Sequence, residues 1–458
     1  MSREQERNTE LFEQMPVPRA VMKMALPTIA AQLIVLIYNM ADTFFIGRTN
    51  DPLMVAGVSL ILPLFNVTIA IANIAGTGGG TLVARLLGRS DPASARRVAA
   101  FSFYFSLTAG LGLSLLTLAF LRPLLRLLGA SADTYAYARQ YALCVIVLGA
   151  APTVLSMTMG NLLRNVGCAA QAGFGGAMGG VVNIFLDPLF MFVLLPPGLE
   201  ILGAGIATAL SNCIACAYFF LVIARMKNPI LDLAPRDLRP QRDQLRAFFG
   251  VGLPAALGPF LFDLDYIVLD RLMSSYSDVA LAAIGIVLKA ERLPLNFGVG
   301  LCLGMVPLAA YNYSAGNRRR MEAVLRFTRA VGVGVSLVSI ALYECFAPAL
   351  MRVFLNDAAT VTLGASFLRI RALATIMMFL SFIYVHLFQA LGRGDYALLL
   401  VALRWAAVNI PMLFLLNALF GMYGLVWSQL VSDCLVAASS YLIYRRFRRR
   451  ERLRETSA

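Results

Sequence analysis

The chain has 458 residues, 59% of them hydrophobic, with a mean hydropathy of +0.74 and only 14% charged, where a soluble chain carries about 25%. A water-soluble globule of this length cannot enclose so much apolar surface, so lipid is the solvent that the composition implies. Lys and Arg exceed Asp and Glu by 39 to 25, a net +14, but they sit in short segments between apolar runs, which speaks for membrane topology and against a nucleic-acid partner.

The chain opens on MSREQERNTELFEQMPVPRA, which is polar and contains acids. It has neither the apolar core nor the small-residue cleavage site of a secretory signal, so it reads as a retained tail with a short surface helix. A spanning helix needs about 20 mostly apolar residues. Twelve such runs follow, centred near residues 36, 66, 110, 145, 182, 212, 260, 297, 335, 377, 408 and 433. The longest polar interruption, RMKNPILDLAPRDLRPQRDQLR at 225–246, has six runs before it and six after it. The expected organisation is a cytoplasmic tail at 1–24, an N-lobe at 25–224, a cytoplasmic loop at 225–246, a C-lobe at 247–444 and a basic cytoplasmic tail at 445–458.

An even number of spans puts both termini on one side and lets the halves repeat in parallel, about an axis along the membrane normal. At a shift of 228, Asp42 meets Asp270, Gly57 meets Gly285, Gly76 meets Gly304 and Gly88 meets Gly316; Pro27 meets Pro254 at 227. With both tails inside, 28 Lys and Arg fall in cytoplasmic segments and five (Arg48, Arg122, Arg126, Arg271, Arg352) in outer loops. That bias orients the chain with its ends in the cytoplasm of a plasma (inner) membrane. The fold expectation is an all-α integral membrane protein of twelve helices in two six-helix lobes with parallel pseudo-two-fold symmetry.

No phosphate-binding GxxxxGK[ST] loop, HExxH, GxSxG or zinc cluster occurs, and no nucleophile or metal constellation stands at depth, so the chain reads as no enzyme and no ATP-driven pump. Cys213 and Cys216 have CxxC spacing but lie within a lipid-embedded run, where Cys behaves as a small hydrophobe. The lone His386 reads as a packed residue. Ionisable groups inside a bilayer are costly and mark function by default. In the first half these are Asp42, in YNMADTFFIGR, and Asp187, in NIFLDPLFMF. Asn183 lies four residues before Asp187, on the same helical face. Pro188 supplies no N–H to the carbonyl of Ile184 and presses on that turn. A carboxylate, an amide and a loosened carbonyl suit a proton or a small cation, and an apolar setting favours the protonated acid. In the second half Asp263, Asp265 and Asp270 face Lys289, Glu291 and Arg292 on the next helix, as a mutually paired network or as a substrate site. Asn409 and Pro411 echo Asn183 and Pro188, but no acid is expected to stand with them.

These segments resemble the multidrug and toxic compound extrusion (MATE) family over roughly residues 15–445. The carriers are ALPTIAAQLIVLIYNMADTFFIGR, GTGGGTLVARLLGR, NIFLDPLFMF, GAGIATALSN, PLAAYNYSAGNRRR and QALGRGD, in that order. The resemblance implies two lobes around a central cavity and export of small-molecule drugs or toxins by a monomer that alternates its access, coupled to H⁺ or Na⁺ and needing no other cofactor. It implies a first-lobe ion site at Asp42, Asn183, Asp187 and Thr208. The second-lobe sodium site of some members needs an acid in helix 10, and GASFLRIRALATIMMFLSFIYVHLF contains none. The competing expectation, an exporter of lipid-linked precursors or polysaccharide from the same superfamily, calls for a cationic cavity built from Lys289, Arg292 and Arg404.

Overall fold

The structure, a computed structural model, describes residues 10–226, 230–235, 238, 240–355 and 357–456. The chain is helical almost throughout. Ten spans come first: α1 (Val17–Gly47), α2 (Pro52–Gly88), α3 (Pro92–Ala119), α4 (Tyr135–Leu148 and Ala150–Asn165, bent by 46°), α5 (Ala169–Leu194), α6 (Glu200–Met226), α7 (Arg242–Ser274), α8 (Asp278–Ser314), α9 (Arg318–Phe354) and α10 (Ala358–Ala372 and Thr375–Ala390, bent by 48°). The last apolar run, Gly394–Glu451, has 58 residues. At about 1.5 Å per residue it is nearly three times longer than a bilayer's apolar core. Gly421 breaks it with φ 60° and ψ −142°, and the chain after the break folds back onto residues 403–409. The run is therefore two helices, α11 (394–420) and α12 (422–456), which makes twelve spans among the described residues.

Apolar side chains cover the outer surface of the bundle. Leu115, Leu116, Phe185, Val193, Val338 and Phe420 are each more than half exposed, which is sustainable only where hydrocarbon surrounds them. Side chains cap the polar ends. Asp51, Asp91, Ser277, Asn317 and Asp357 each accept from a first-turn backbone N–H of the helix that follows. The segment 225–246 contains Ile230–Pro235 among the described residues, and its remaining irregular positions lie partly outside them.

The parallel repeat is visible in how the helices meet. Within the first half α1 lies on α5, α2 on α3 and α4, and α5 on α6; within the second α7 lies on α11, α8 on α9 and α10, and α11 on α12. The halves are joined by α1 against α8 and by α2 against α7, a pair of contacts that exchange under the same symmetry, and by α2 against α8. Aligned glycines do not always share a role. Gly316 ends α8 at φ 77°, whereas Gly88 lies inside α2 beneath the carbonyl of Tyr311.

The lobes meet closely on the face that carries both termini. A Cβ on Gly304 would stand 2.5 Å from the Cα of Ala25, and one on Gly252 would stand 2.5 Å from the carbonyl of Ile74. The tail ahead of α1 also docks there and is not a surface helix. Residues Glu10–Gln14 form one π-helical turn with Leu11 and Phe12 buried. Phe12 stacks on Tyr311 at 4.7 Å, and Arg320 donates to the carbonyls of Phe12 (2.7 Å) and Met15 (2.6 Å). The basic end of α12 reaches the same place, with Arg448 2.5 Å from Glu322 and the Tyr313 hydroxyl bonded to Glu451.

Candidate ion-coupling site

Three helices of the first lobe converge on one acidic cluster. Asp42 lies on the second half of α1, Asn183 and Asp187 lie on α5, and Thr208 lies on α6. Gly180 lets the two helices approach, since a Cβ there would stand 2.9 Å from the ring of Tyr38 on α1. After Pro188 the helix cannot keep its ordinary ladder, and α5 finishes as a π-helical turn, Phe190–Leu194. Four-residue spacing brings Asn183 over Asp187, and the Asn183 amide donates to Asp187 Oδ1 at 3.1 Å. Asp187 is 0% exposed and Asn183 3%, while Asp42 is half-buried.

Three oxygens in this cluster have no donor: Asp42 Oδ1, Asn183 Oδ1 and Asp187 Oδ2. Neither acid forms an ion pair among the described residues, and their charges act on each other. Buried acceptors without donors are costly, and two facing carboxylates more so. A proton shared into the cluster, or a small cation held by these oxygens, removes the cost. Tyr38 and Tyr141 stand within the field of both acids, and the side chain of Tyr141 interacts with that of Thr208. Thr208 thus belongs to the cluster's wall through Tyr141; no hydrogen bond joins it to either acid among the described residues. The tyrosines were missed by sequence reasoning, although Tyr38 precedes Asp42 by one helical turn.

The charges of the second lobe are arranged otherwise than the sequence suggests. No hydrogen bond or ion pair joins Asp263, Asp265 or Asp270 to Lys289, Glu291 or Arg292 among the described residues, although the Arg292 charge reaches Asp263. Residues two apart on a helix point to nearly opposite faces, so neighbours in sequence reach different partners. Asp263 crosses the lobe boundary and accepts from Asn66 of α2 at 2.6 Å. Asp265 turns inward and accepts from Asn409 of α11 at 2.7 and 2.9 Å. Asn409 therefore has an acid after all, supplied by another helix. Glu291 holds Arg371 of α10 through two bonds of 2.6 and 2.9 Å. Asp270, Lys289 and Arg292 are exposed. Arg404 is bound by Asp433 of α12 at 2.9 Å, and Gln429 donates to the same carboxylate at 2.8 Å. Gln429 and Asp433 repeat the amide–acid spacing of Asn183 and Asp187, a signal that was present in the sequence of α12.

A family model described as MatE matches the chain at residues 27–189 and 254–415. The chain is 31% identical over 432 residues to the multidrug export protein MepA of Staphylococcus aureus (strain N315), covering 94% of each protein. Among solved structures it superposes on a MATE protein in complex with MaL6 with a TM-score of 0.90 at 22% identity, covering 96% of this chain and 98% of that one. The outward-facing conformation of a multidrug resistance MATE family transporter of the MOP superfamily superposes equally well, with a TM-score of 0.90 at 22% identity over 96% of this chain and 97% of that one.

Proposed function

Because the chain belongs to the MATE family of multidrug exporters, we propose that it expels amphipathic organic cations and related xenobiotics across the plasma membrane in exchange for H⁺ or Na⁺, the ion binding at Asp42, Asn183, Asp187 and Thr208. One observation carries the reading: the three donorless acceptor oxygens of Asp42, Asn183 and Asp187, with no basic side chain paired to either acid among the described residues. One proton shared between two of these oxygens satisfies both without further ligands, so H⁺ is the favoured ion. The excess of basic residues in the segments on the face of the two termini supports a cytoplasmic location for that face. The close contact of the lobes on that face fits a state that opens to the other side, where drug leaves and the coupling ion enters. Ion binding then neutralises the acids and lets α1 and α5 repack as access alternates. One chain holds both lobes, so a monomer suffices.

The lipid-linked-precursor alternative is less well supported. It called for a cationic cavity that includes Arg404, but Arg404 is neutralised by Asp433. Proteoliposomes with a proton gradient and a sodium gradient imposed separately test the proposal. Drug flux should follow one gradient, the proton gradient by preference, and should be lost in Asp42→Asn and Asp187→Asn proteins that still insert and run as single species. Unimpaired coupled flux in both variants would remove the ion-site assignment.

A further inference from the structure

We infer that Arg404 is a tethered stand-in for the transported molecule, occupying a second-lobe site built for a planar organic cation from Phe382, Trp405 and Asp433. This rests on the reading of the chain as an exporter of organic cations and adds where such a cation docks. The guanidinium carbon lies 4.7 Å from the ring centre of Phe382 and 4.5 Å from that of Trp405. Asp433, 0% exposed, neutralises it at 2.9 Å, and Gln429 orients the carboxylate. Two aromatic rings and one buried carboxylate form a receptor for a flat, delocalised cation. A merely structural ion pair has no use for the rings, and apolar side chains would stabilise the lobe as well.

Arg404 is also held incompletely. Its Nε has no partner although buried, and one Nη1–H reaches the carbonyl of Met378 at a long 3.2 Å. The pair borders a narrow cavity lined in part by Phe262, Tyr266, Met378 and Trp405, with room for little more than a water molecule, so a ligand larger than the guanidinium requires it to widen. Arg404 and Trp405 lie on the π-helical stretch Leu403–Asn409 of α11. A change of rotamer of the long Arg404 side chain, with the backbone and Trp405 left in place, withdraws the guanidinium and leaves Asp433 and the aromatic wall to the incoming cation. Glu291 is bound to Arg371 and Asp265 to Asn409, so neither competes for that place.

While Arg404 holds the cage, a ligand's apparent affinity is lowered by the fraction of time the cage is vacant. Removing the tethered cation must therefore strengthen binding. Ethidium, a planar fluorescent cation, is titrated against the purified full-length protein in detergent. Arg404→Gln should bind it roughly tenfold more tightly than the unaltered protein, the vacancy no longer being contested. Arg352→Gln, which deletes an exposed charge, should leave affinity unchanged. Trp405→Leu and Asp433→Asn should weaken binding. An Arg404→Gln protein that binds ethidium no better than the parent overturns the inference. So does an unchanged affinity in Trp405→Leu, which keeps the ion pair and decides the matter if Arg404→Gln does not fold. Ethidium export by the unaltered protein in proteoliposomes is measured alongside. Absence of any organic-cation export overturns the exporter reading, whereas export that is indifferent to the cage variants overturns this inference alone.

Discussion

At the scale of single residues, polar groups in this chain are either fully partnered or conspicuously short of one partner. Asp91 is of the first kind. It precedes α3 and accepts from the backbone N–H of Ser94 at 3.0 Å. The Ser94 hydroxyl, with that N–H, holds the Asp91 carboxyl below the usual carboxylate range. A carboxylate whose folded pKa is depressed lends stability above its unfolded value of about 3.9 and loses it as pH falls through the folded value. Asp91→Ala should therefore cost about 1 kcal/mol at neutral pH, with Asp91→Asn costing less. The difference from the parent in thermal unfolding should shrink as the pH is lowered from 5 to below about 3.5. Asp187 is of the second kind, with a satisfied Oδ1 and a bare Oδ2. The same shortfall occurs at Asn183 Oδ1 and Asp42 Oδ1 in the first-lobe cluster.

At the scale of elements, breaks in helices carry as much of the architecture as the helices do. Pro188 and the π-helical turn after it interrupt the regular hydrogen-bond ladder at the end of α5, where Asp187 lies. Gly421 separates α11 from α12 by a conformation that side chains rarely adopt. The nearest heavy atom to a Cβ there would be the Tyr276 hydroxyl at 3.6 Å, so space is not the obstacle. Gly421→Ala should cost about 1–3 kcal/mol through backbone strain alone. The expected result is a lower midpoint of thermal unfolding and a lower yield in membranes, with no change in the ion dependence of transport in the protein that inserts. If the midpoint does not move, the turn can be made another way.

At the scale of the molecule, two lobes are closed together on one face, and glycine makes the closure possible. Ala25 and Ile29 of α1 lie against Gly304 and Gly300 of α8, nearer than any side chain would allow. Gly304→Val inserts volume where backbone meets backbone, so the lobes must part on that face. Amide hydrogen exchange should then rise in peptides covering 20–31 and 298–310, while peptides from the outer halves of α3 and α9 keep their protection. Unchanged exchange would mean that the interface yields elsewhere. The docked turn at Glu10–Gln14 adds to the same closure by tying the start of α1 to Arg320 of α9, while the Arg448–Glu322 pair holds α12 to α9 within the second lobe.

Length, apolar periodicity and the charge count determined the helical membrane class, the number of spans and the six-plus-six division, because each depends on runs of residue types that a bilayer selects locally. The pair Asn183 and Asp187 was legible for the same reason: four residues on one helix meet whatever surrounds them. Partners contributed by other helices were not legible. Asp265 with Asn409, Glu291 with Arg371 and Arg404 with Asp433 join positions 144, 80 and 29 residues apart. Nothing in either segment names the other, since a helix sets only the direction in which a side chain points. The packing of six helices around each lobe's centre decides what it meets there. The sequence left the second lobe's charges open as a mutually paired network or a substrate site; the tertiary structure alone shows Asp265, Glu291 and Arg404 in cross-helix contacts, and Arg404 against two aromatic rings.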